Sequence, residues 1–221
     1  MKILIMVSSH NDNGIYDRLV DTIRNTWDSE IVDDIRTLYY YNDSKLDSIK
    51  IYNDEIFLPC GGGVDKIGYK ILLSFEYILN NIEFDYVFKT NCSSYINKKL
   101  LKNLAKDMPR NKLYAGFLGY HDGIKFISGA GNLISKDLVE LILNNKDKWN
   151  HSLMEDVAIG KILMDNNISF YPLDRVSIVN GIDNDKLNTK CHHYRCKNDN
   201  NREIDIMIMK ELYKIYILDK K

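Results

Sequence analysis

Two adjacent acids, Glu155 and Asp156, open a predicted helix in Met154-Glu155-Asp156-Val157. Carboxylates at a helix N-terminus complement its dipole, which accounts for them structurally. An acid placed there and aimed into a cleft can also serve as a general base. A second cluster, Thr90-Asn91-Cys92-Ser93-Ser94-Tyr95, follows an apolar strand. It can meet a ligand or a metal, or form a solvated turn with Asn91 as turn former. Ser128-Gly129-Ala130-Gly131-Asn132 precedes a predicted helix. Its small residues either let a ligand approach backbone N–H groups or make a tight strand-to-helix connection. The spacing is not that of a dinucleotide fingerprint. Cys191-His192-His193-Tyr194-Arg195-Cys196 crowds two Cys and two His together. Structural zinc combines two ligand pairs set apart, and the chain has no second pair. A His and an Arg close to an anionic leaving group is the functional use of that cluster, and an exposed basic loop the bland one. Gly61-Gly62-Gly63 lacks the Lys-Ser/Thr ending of a phosphate-binding Walker loop and is read as a flexible turn.

These residues need elements to hold them. Lys2 to Val7 is a continuous apolar run, the signature of a strand buried on both faces. From Asp12 to Trp27, Ile15, Leu19, Val20, Ile23 and Trp27 recur three and four apart, which predicts an amphipathic helix. Strands are expected over Arg36 to Tyr41 and, shorter, within Ile49 to Phe57. Helical spacing runs from Asp65 to Leu79, and Asp85 to Lys89 reads as another buried strand. Lys98 to Lys106 predicts a short helix, and Leu113 to Gly119 and Lys125 to Ile127 predict strands. Ser135 to Leu143, with Ser135 as N-cap, and Glu155 to Met164 predict helices, followed by a strand at Ser169 to Pro172. A polar loop is expected over about 180–201 and a C-terminal helix over 204–218. Strands alternating with helices imply crossovers and a mostly parallel sheet covered on both faces. Ligands of such sheets bind beyond the carboxyl ends of the strands, so the loops after Val7, Tyr41 and Lys89 matter.

Composition narrows the function. The 221 residues carry 30 Lys plus Arg against 31 Asp plus Glu, a net charge of −1, which argues against a surface dedicated to nucleic acid. With 45% hydrophobic residues, 11% aromatics and 3 prolines, the chain is not disordered as a whole, and its length suits one α/β domain. No apolar run is long enough for a membrane span. The N-terminal apolar stretch is too short for a signal peptide and leads into polar Ser8-Ser9-His10-Asn11-Asp12. Scattered Cys60, Cys92, Cys191 and Cys196 offer no disulfide framework and suit a reducing compartment. A soluble, cytoplasmic protein is expected.

Taken in order, the pieces resemble the inverting β-1,3-glycosyltransferase family of β-1,3-galactosyltransferases, β-1,3-N-acetylglucosaminyltransferases and Fringe. Ile23-Arg24-Asn25-Thr26-Trp27 is similar to its IRxTW, Gly68-Tyr69-Lys70-Ile71-Leu72 to its NLTxKT helix, and Tyr86-Val87-Phe88-Lys89-Thr90-Asn91-Cys92-Ser93 to YVLKTDDD. Ser128 to Ser135 resembles SGxGYVLS, Glu155 to Gly160 resembles EDVYVG, and His193-Tyr194-Arg195 stands at a late histidine position. The match runs from about residue 3 to 196. It implies a GT-A fold, one nucleotide-binding α/β domain with an acceptor half fused to it. It also implies a nucleotide-sugar donor, a UDP-sugar, near Ser8, Ser9, Arg24, Asp43, Lys70, Lys89, Asn91, Ser93, His193 and Arg195. Gly129, Ala130, Gly131 and Glu155 would shape the sugar or acceptor pocket, and Asp156 would be the base that activates a glycan or other hydroxyl acceptor. Family members are usually anchored in a secretory membrane; the present sequence begins at the first strand, as in a soluble or virus-type relative.

One departure stands out. The family's acidic triplet holds the divalent cation that bridges the donor diphosphate, and Asn91, Cys92 and Ser93 take its place here. Mg²⁺ and Mn²⁺ want anionic oxygen; Asn91, Ser93 and His193 are the remaining candidate ligands. Either the enzyme is metal-independent and offsets the diphosphate charge with Lys89, His192, His193 or Arg195, or it has lost catalysis and only binds nucleotide sugars or glycans.

Overall fold

Ile3 to Val7 are all withdrawn from water, which is why this stretch lacks polar alternation: it is the central strand of the sheet. The computed structural model describes residues 1–10, 14–63, 66–183 and 187–218. Strand β1 (Ile3–Ser8) lies between β2 (Ile35–Asn42) and β5 (Tyr86–Asn91), parallel to both. Outward from β2 run β4 (Glu55–Leu58) and the antiparallel edge strand β3 (Lys50–Tyr52). On the other side β5 pairs antiparallel with β8 (Ile124–Ser135), β8 with β7 (Tyr114–His121), and β7 parallel with β9 (Phe170–Pro172). The order of the eight strands is β3-β4-β2-β1-β5-β8-β7-β9.

Each face of this sheet carries its own apolar layer. Helices α1 (Ile15–Arg24), α3 (Lys98–Lys106) and α6 (Glu203–Tyr213) cover one face, where Ile5, Val7, Trp27, Phe88, Leu101 and Met209 meet. On the other face α2 (Ile67–Asn81), α4 (Lys136–Asn144) and α5 (Glu155–Asp165) cover Leu4, Met6, Phe75, Ile134, Trp149 and Leu163. This is the expected GT-A arrangement, a mostly parallel sheet flanked by helices. Cys60, Cys92, Cys191 and Cys196 are buried and unbridged. Among the described residues no helix is long and apolar enough to cross a membrane.

Several boundaries differ from the sequence reading. The expected helix starts at Asp12 and Asp65, and residues 184–186 of the expected loop, lie outside the described residues. Thr90 to Tyr95 is not one loop: β5 runs through Asn91, and a tight turn leads at once into β6 (Ser94–Ile96). Ser128 to Asn132 is not a connection before a helix but the middle of the twelve-residue β8. The polar span 180–201 contains β11 (His193–Arg195) and buries Cys191, Tyr194, Cys196 and Asn198. It joins β6 and β10 (Val176–Ser177) in a small second sheet of order β10-β11-β6. Polar composition hid this strand because its burial depends on partners far away in sequence. Beyond Tyr213 the C-terminal helix loosens into a π-helical turn, Lys214–Leu218.

Candidate active site

The parallel register sets Ser8 beside Asn91 at the carboxyl ends of β1 and β5. From there a cleft of about 260 Å³ opens between the main sheet, the small sheet and the first turn of α5. Ser8, Lys89, Asn91, Ser93, Gly129, Ala130, Glu155, Asp156 and Arg195 line it, so most of the residues expected from the sequence do converge.

The two acids of α5 take different environments. Lys89 Nζ lies 2.9 Å from Glu155 Oε1. Burial opposes charge on both partners, yet the Lys89 ammonium holds Glu155 below the usual carboxylate range, and Glu155 in turn holds Lys89 above its own. Asp156 has no ion-pair partner among the described residues. Its Oδ2 accepts the Gly129 N–H at 2.8 Å and its Oδ1 accepts the Val157 N–H at 2.9 Å. Burial, and then the neighbouring Glu155, push its carboxyl above the ordinary range. Two carboxylates driven apart in this way suit different tasks, and the raised one, in the cleft, is the better proton acceptor.

Three basic side chains also line the cleft: Arg195, Lys197 and Arg202. Arg202 donates through Nη2 to Ser93 Oγ and through Nε to Asp205 Oδ2 at 2.6 Å. Asp205 is fully buried and also accepts the Asn198 N–H at 2.7 Å, so the guanidinium is clamped in place. His10 and Tyr16 complete the rim, their rings edge to face at 4.9 Å.

Other expected site residues lie elsewhere. Lys70 is buried beneath the cleft floor, donating to Ser8 Oγ at 3.1 Å and to the Ser9 carbonyl, and burial pulls its pKa down to about 8. Arg24 is held by Asp54 and Glu55 and stacks on Tyr39; it does not line the cleft. Asp43 does not line it either, and accepts the Lys45 N–H. His193 is buried behind Gly131 with Nε2 3.2 Å from Ser94 Oγ. Burial lowers its pKa well below the usual value and that of His192 to about 4, so both rings are neutral at pH 7 and add no positive charge. Arg202, Lys197, Tyr16 and His10 escaped the sequence reading: no local pattern marks the two basic side chains in a late polar segment, or the two rings after β1, as facing one cleft.

The residues present do not fit a divalent cation. Asn91 Oδ1 accepts the Ser93 N–H at 3.1 Å, and Ser93 Oγ accepts Arg202. Burial raises the Cys92 thiol to about 11, which leaves it protonated. Among the described residues no group of three His, Cys, Asp or Glu side chains is arranged to hold a metal. A guanidinium occupies the place beside Ser93 where a cation would need anionic oxygen.

No protein family matches this chain, and no curated protein does. Among solved structures it is similar to a glycosyltransferase involved in the glycosylation of the major capsid of PBCV-1, at 13% identity and TM-score 0.56, with 95% of this chain and 100% of the other covered. It is also similar to 2-C-methyl-D-erythritol 4-phosphate cytidylyltransferase from Thermus thermophilus, at 8% identity and TM-score 0.50, covering 97% and 100%. At these identities the likeness shows the fold alone. One frame serves a glycosyltransferase and a cytidylyltransferase, so the choice between them rests on the site.

Proposed function

We propose that the protein transfers a sugar from a nucleotide sugar, a UDP-sugar, to a hydroxyl acceptor with inversion at the anomeric carbon, and that it does so without a divalent cation. The observation that carries the reading is Asp156, a carboxylate with raised proton affinity that lines the same cleft as Arg195, Lys197 and Arg202. In the reaction, Asp156 takes the proton of the acceptor hydroxyl while that oxygen attacks C1 from the face opposite the diphosphate. The new C1–O bond forms as the bond to the diphosphate breaks, and the leaving group departs with the electron pair. Arg202 and Lys197 then offset its negative charge, an electrostatic task that elsewhere falls to a metal ion. The Gly129 N–H fixes the Asp156 carboxylate for the attack. A nucleotidyltransferase would need a Gly-rich basic loop directly after β1, where Ser8-Ser9-His10 stand instead.

The test is a panel of nucleotide sugars in EDTA, read by thermal shift and by release of the nucleoside diphosphate, with the product anomer read by NMR. A donor at 100 times its Kd should stabilise the fold by about 2.7 kcal/mol. Turnover in EDTA with inversion supports the reading in full. Binding of a donor with no turnover on any acceptor points instead to the binding module that the uncharged Asn91-Cys92-Ser93 turn also suits. Retention of configuration, or turnover only with added cation, overturns the mechanism.

A further inference from the structure

The register of the small sheet pairs Val176 with Tyr194, Ser177 with Arg195, and Arg195 with Ser94. Alternation therefore sets Arg175, His193, Arg195 and Ser94 on one face, towards β8, while Tyr95 and Tyr194 pack on the other face against Tyr216. Two guanidiniums thus share a face beside the cleft. Arg175 donates from Nη1 to Ser128 Oγ at 2.9 Å and lies over the Phe117 ring, 4.3 Å from its centroid. Phe117 is set there by a bulge in β7 next to Gly116, whose φ of +151° and contact with Ile127 leave no room for a side chain. Arg195 lines the cleft.

Neither guanidinium has an ionic partner among the described residues, and each has its Nε buried without a hydrogen bond. Every other arginine is paired with a carboxylate or, as Arg36, exposed. Holding two half-buried like charges on one face without counter-ions among the described residues is costly, and an anion between them lowers that cost. In keeping with this, burial and then Arg195 pull the Arg175 pKa down to about 10. The position says which anion. Arg202 meets Ser93, at the end of the cleft assigned to the diphosphate. Arg175 meets Ser128, next to Gly129, whose N–H holds the Asp156 carboxylate. An anion on Arg175 is therefore at the sugar end of the reaction.

Resting on the glycosyl-transfer reading, we propose that Arg175 and Arg195 form a second anion subsite that receives the carboxylate of an acidic sugar. The enzyme would then select a hexuronic acid, either as the sugar transferred or as the acceptor.

Binding of UDP, UDP-glucose and UDP-glucuronate to the wild type, Arg175→Gln and Arg175→Lys, by calorimetry, tests the donor source. Turnover with methyl glucuronide against methyl glucoside tests the acceptor source. The expected result is a preference of about tenfold or more for the acidic member of one pair. Arg175→Gln should erase that preference, and Arg175→Lys should retain part of it. Because the wild-type preference needs no variant, misfolding of Arg175→Gln leaves the proposal open to refutation. Equal use of acidic and neutral sugars overturns it while leaving glycosyl transfer intact. An Arg175→Gln loss as large for UDP alone as for UDP-glucuronate also overturns it, since Arg175 is then a diphosphate ligand. Failure of every nucleotide sugar to bind removes both readings.

Discussion

Lys89 Nζ stands 2.9 Å from Glu155 Oε1, and this pairing leaves Asp156 as the carboxylate of the two with no ion-pair partner among the described residues. Both partners are almost fully withdrawn from water, so breaking the pair strands a buried charge. Lys89→Met is expected to cost about 3–5 kcal/mol at pH 7. The double variant Lys89→Met/Glu155→Gln should recover much of that loss. Glu155 has its folded pKa depressed, so its contribution is present above the ordinary carboxylate value and lost as pH falls through the folded one. Lys89 has its pKa raised, so its contribution is present below the ordinary lysine value and lost as pH rises through the folded one. Urea unfolding of the singles and the double at pH 7 checks the coupling, and additive losses would contradict it.

Asp156 has the opposite sign. Its folded pKa is raised by burial and by Glu155, so the ionised form costs stability once the pH exceeds the ordinary aspartate value. Asp156→Asn leaves one of the two backbone N–H donors unpaired at every pH, so the expected signature is in the pH dependence: relative to wild type the variant should gain thermal stability between pH 3 and pH 7. The same variant should lose about 10²–10⁴-fold in kcat as the base is removed. The acid limb of the wild-type pH–rate profile should lie above the ordinary aspartate range. An inactive variant whose stability relative to wild type does not change between pH 3 and pH 7 would contradict the raised proton affinity of Asp156.

Arg202 reaches Ser93 from the N-cap of α6 with its guanidinium clamped by Asp205. If it replaces a cation at the diphosphate, EDTA should leave donor affinity unchanged. Arg202→Gln should weaken the donor by about 10–100-fold, in line with about 1.5–3 kcal/mol for hydrogen bonds to a charged group. Added Mn²⁺ should not restore it, since Asn91, Cys92 and Ser93 still provide no carboxylate. Calorimetry with UDP, with and without EDTA, decides the matter.

Much of this frame could be read from periodicity. The unbroken run Ile3 to Val7 marked a strand covered on both faces, and the spacing of Ile67, Ile71, Phe75 and Ile78 marked α2. The Glu155–Asp156 pair was visible as a helix start. What escaped was long-range pairing. β11 is three residues in a polar stretch, and it becomes a strand only through Ser94–Ile96 and Val176–Ser177, both distant in sequence. Arg202, Arg175 and Lys197 were invisible for the same reason, because a basic side chain in a polar tail gains meaning only from the wall it faces. Lys89 could be placed at the site by motif, but not its neutralisation by Glu155, 66 residues further along the chain.

Gly131 provides a last test, because it separates a packing role from a ligand role for His193. A Cβ at Gly131 would stand 2.3 Å from His193 Cε1 and 2.5 Å from Nδ1. The ring is buried between β8 and the small sheet, so it has no space to yield. Gly131→Ala should cost about 1–3 kcal/mol by overpacking. The double variant Gly131→Ala/His193→Ala should regain part of that loss relative to Gly131→Ala, since the clash is gone. His193 is neutral at pH 7 and bonded to Ser94 Oγ, so His193→Gln, which can keep that bond, should leave donor affinity and its pH dependence in place. A fall of tenfold or more in donor affinity in His193→Gln, with stability retained, would instead make the ring a ligand that reaches the cleft when the donor binds.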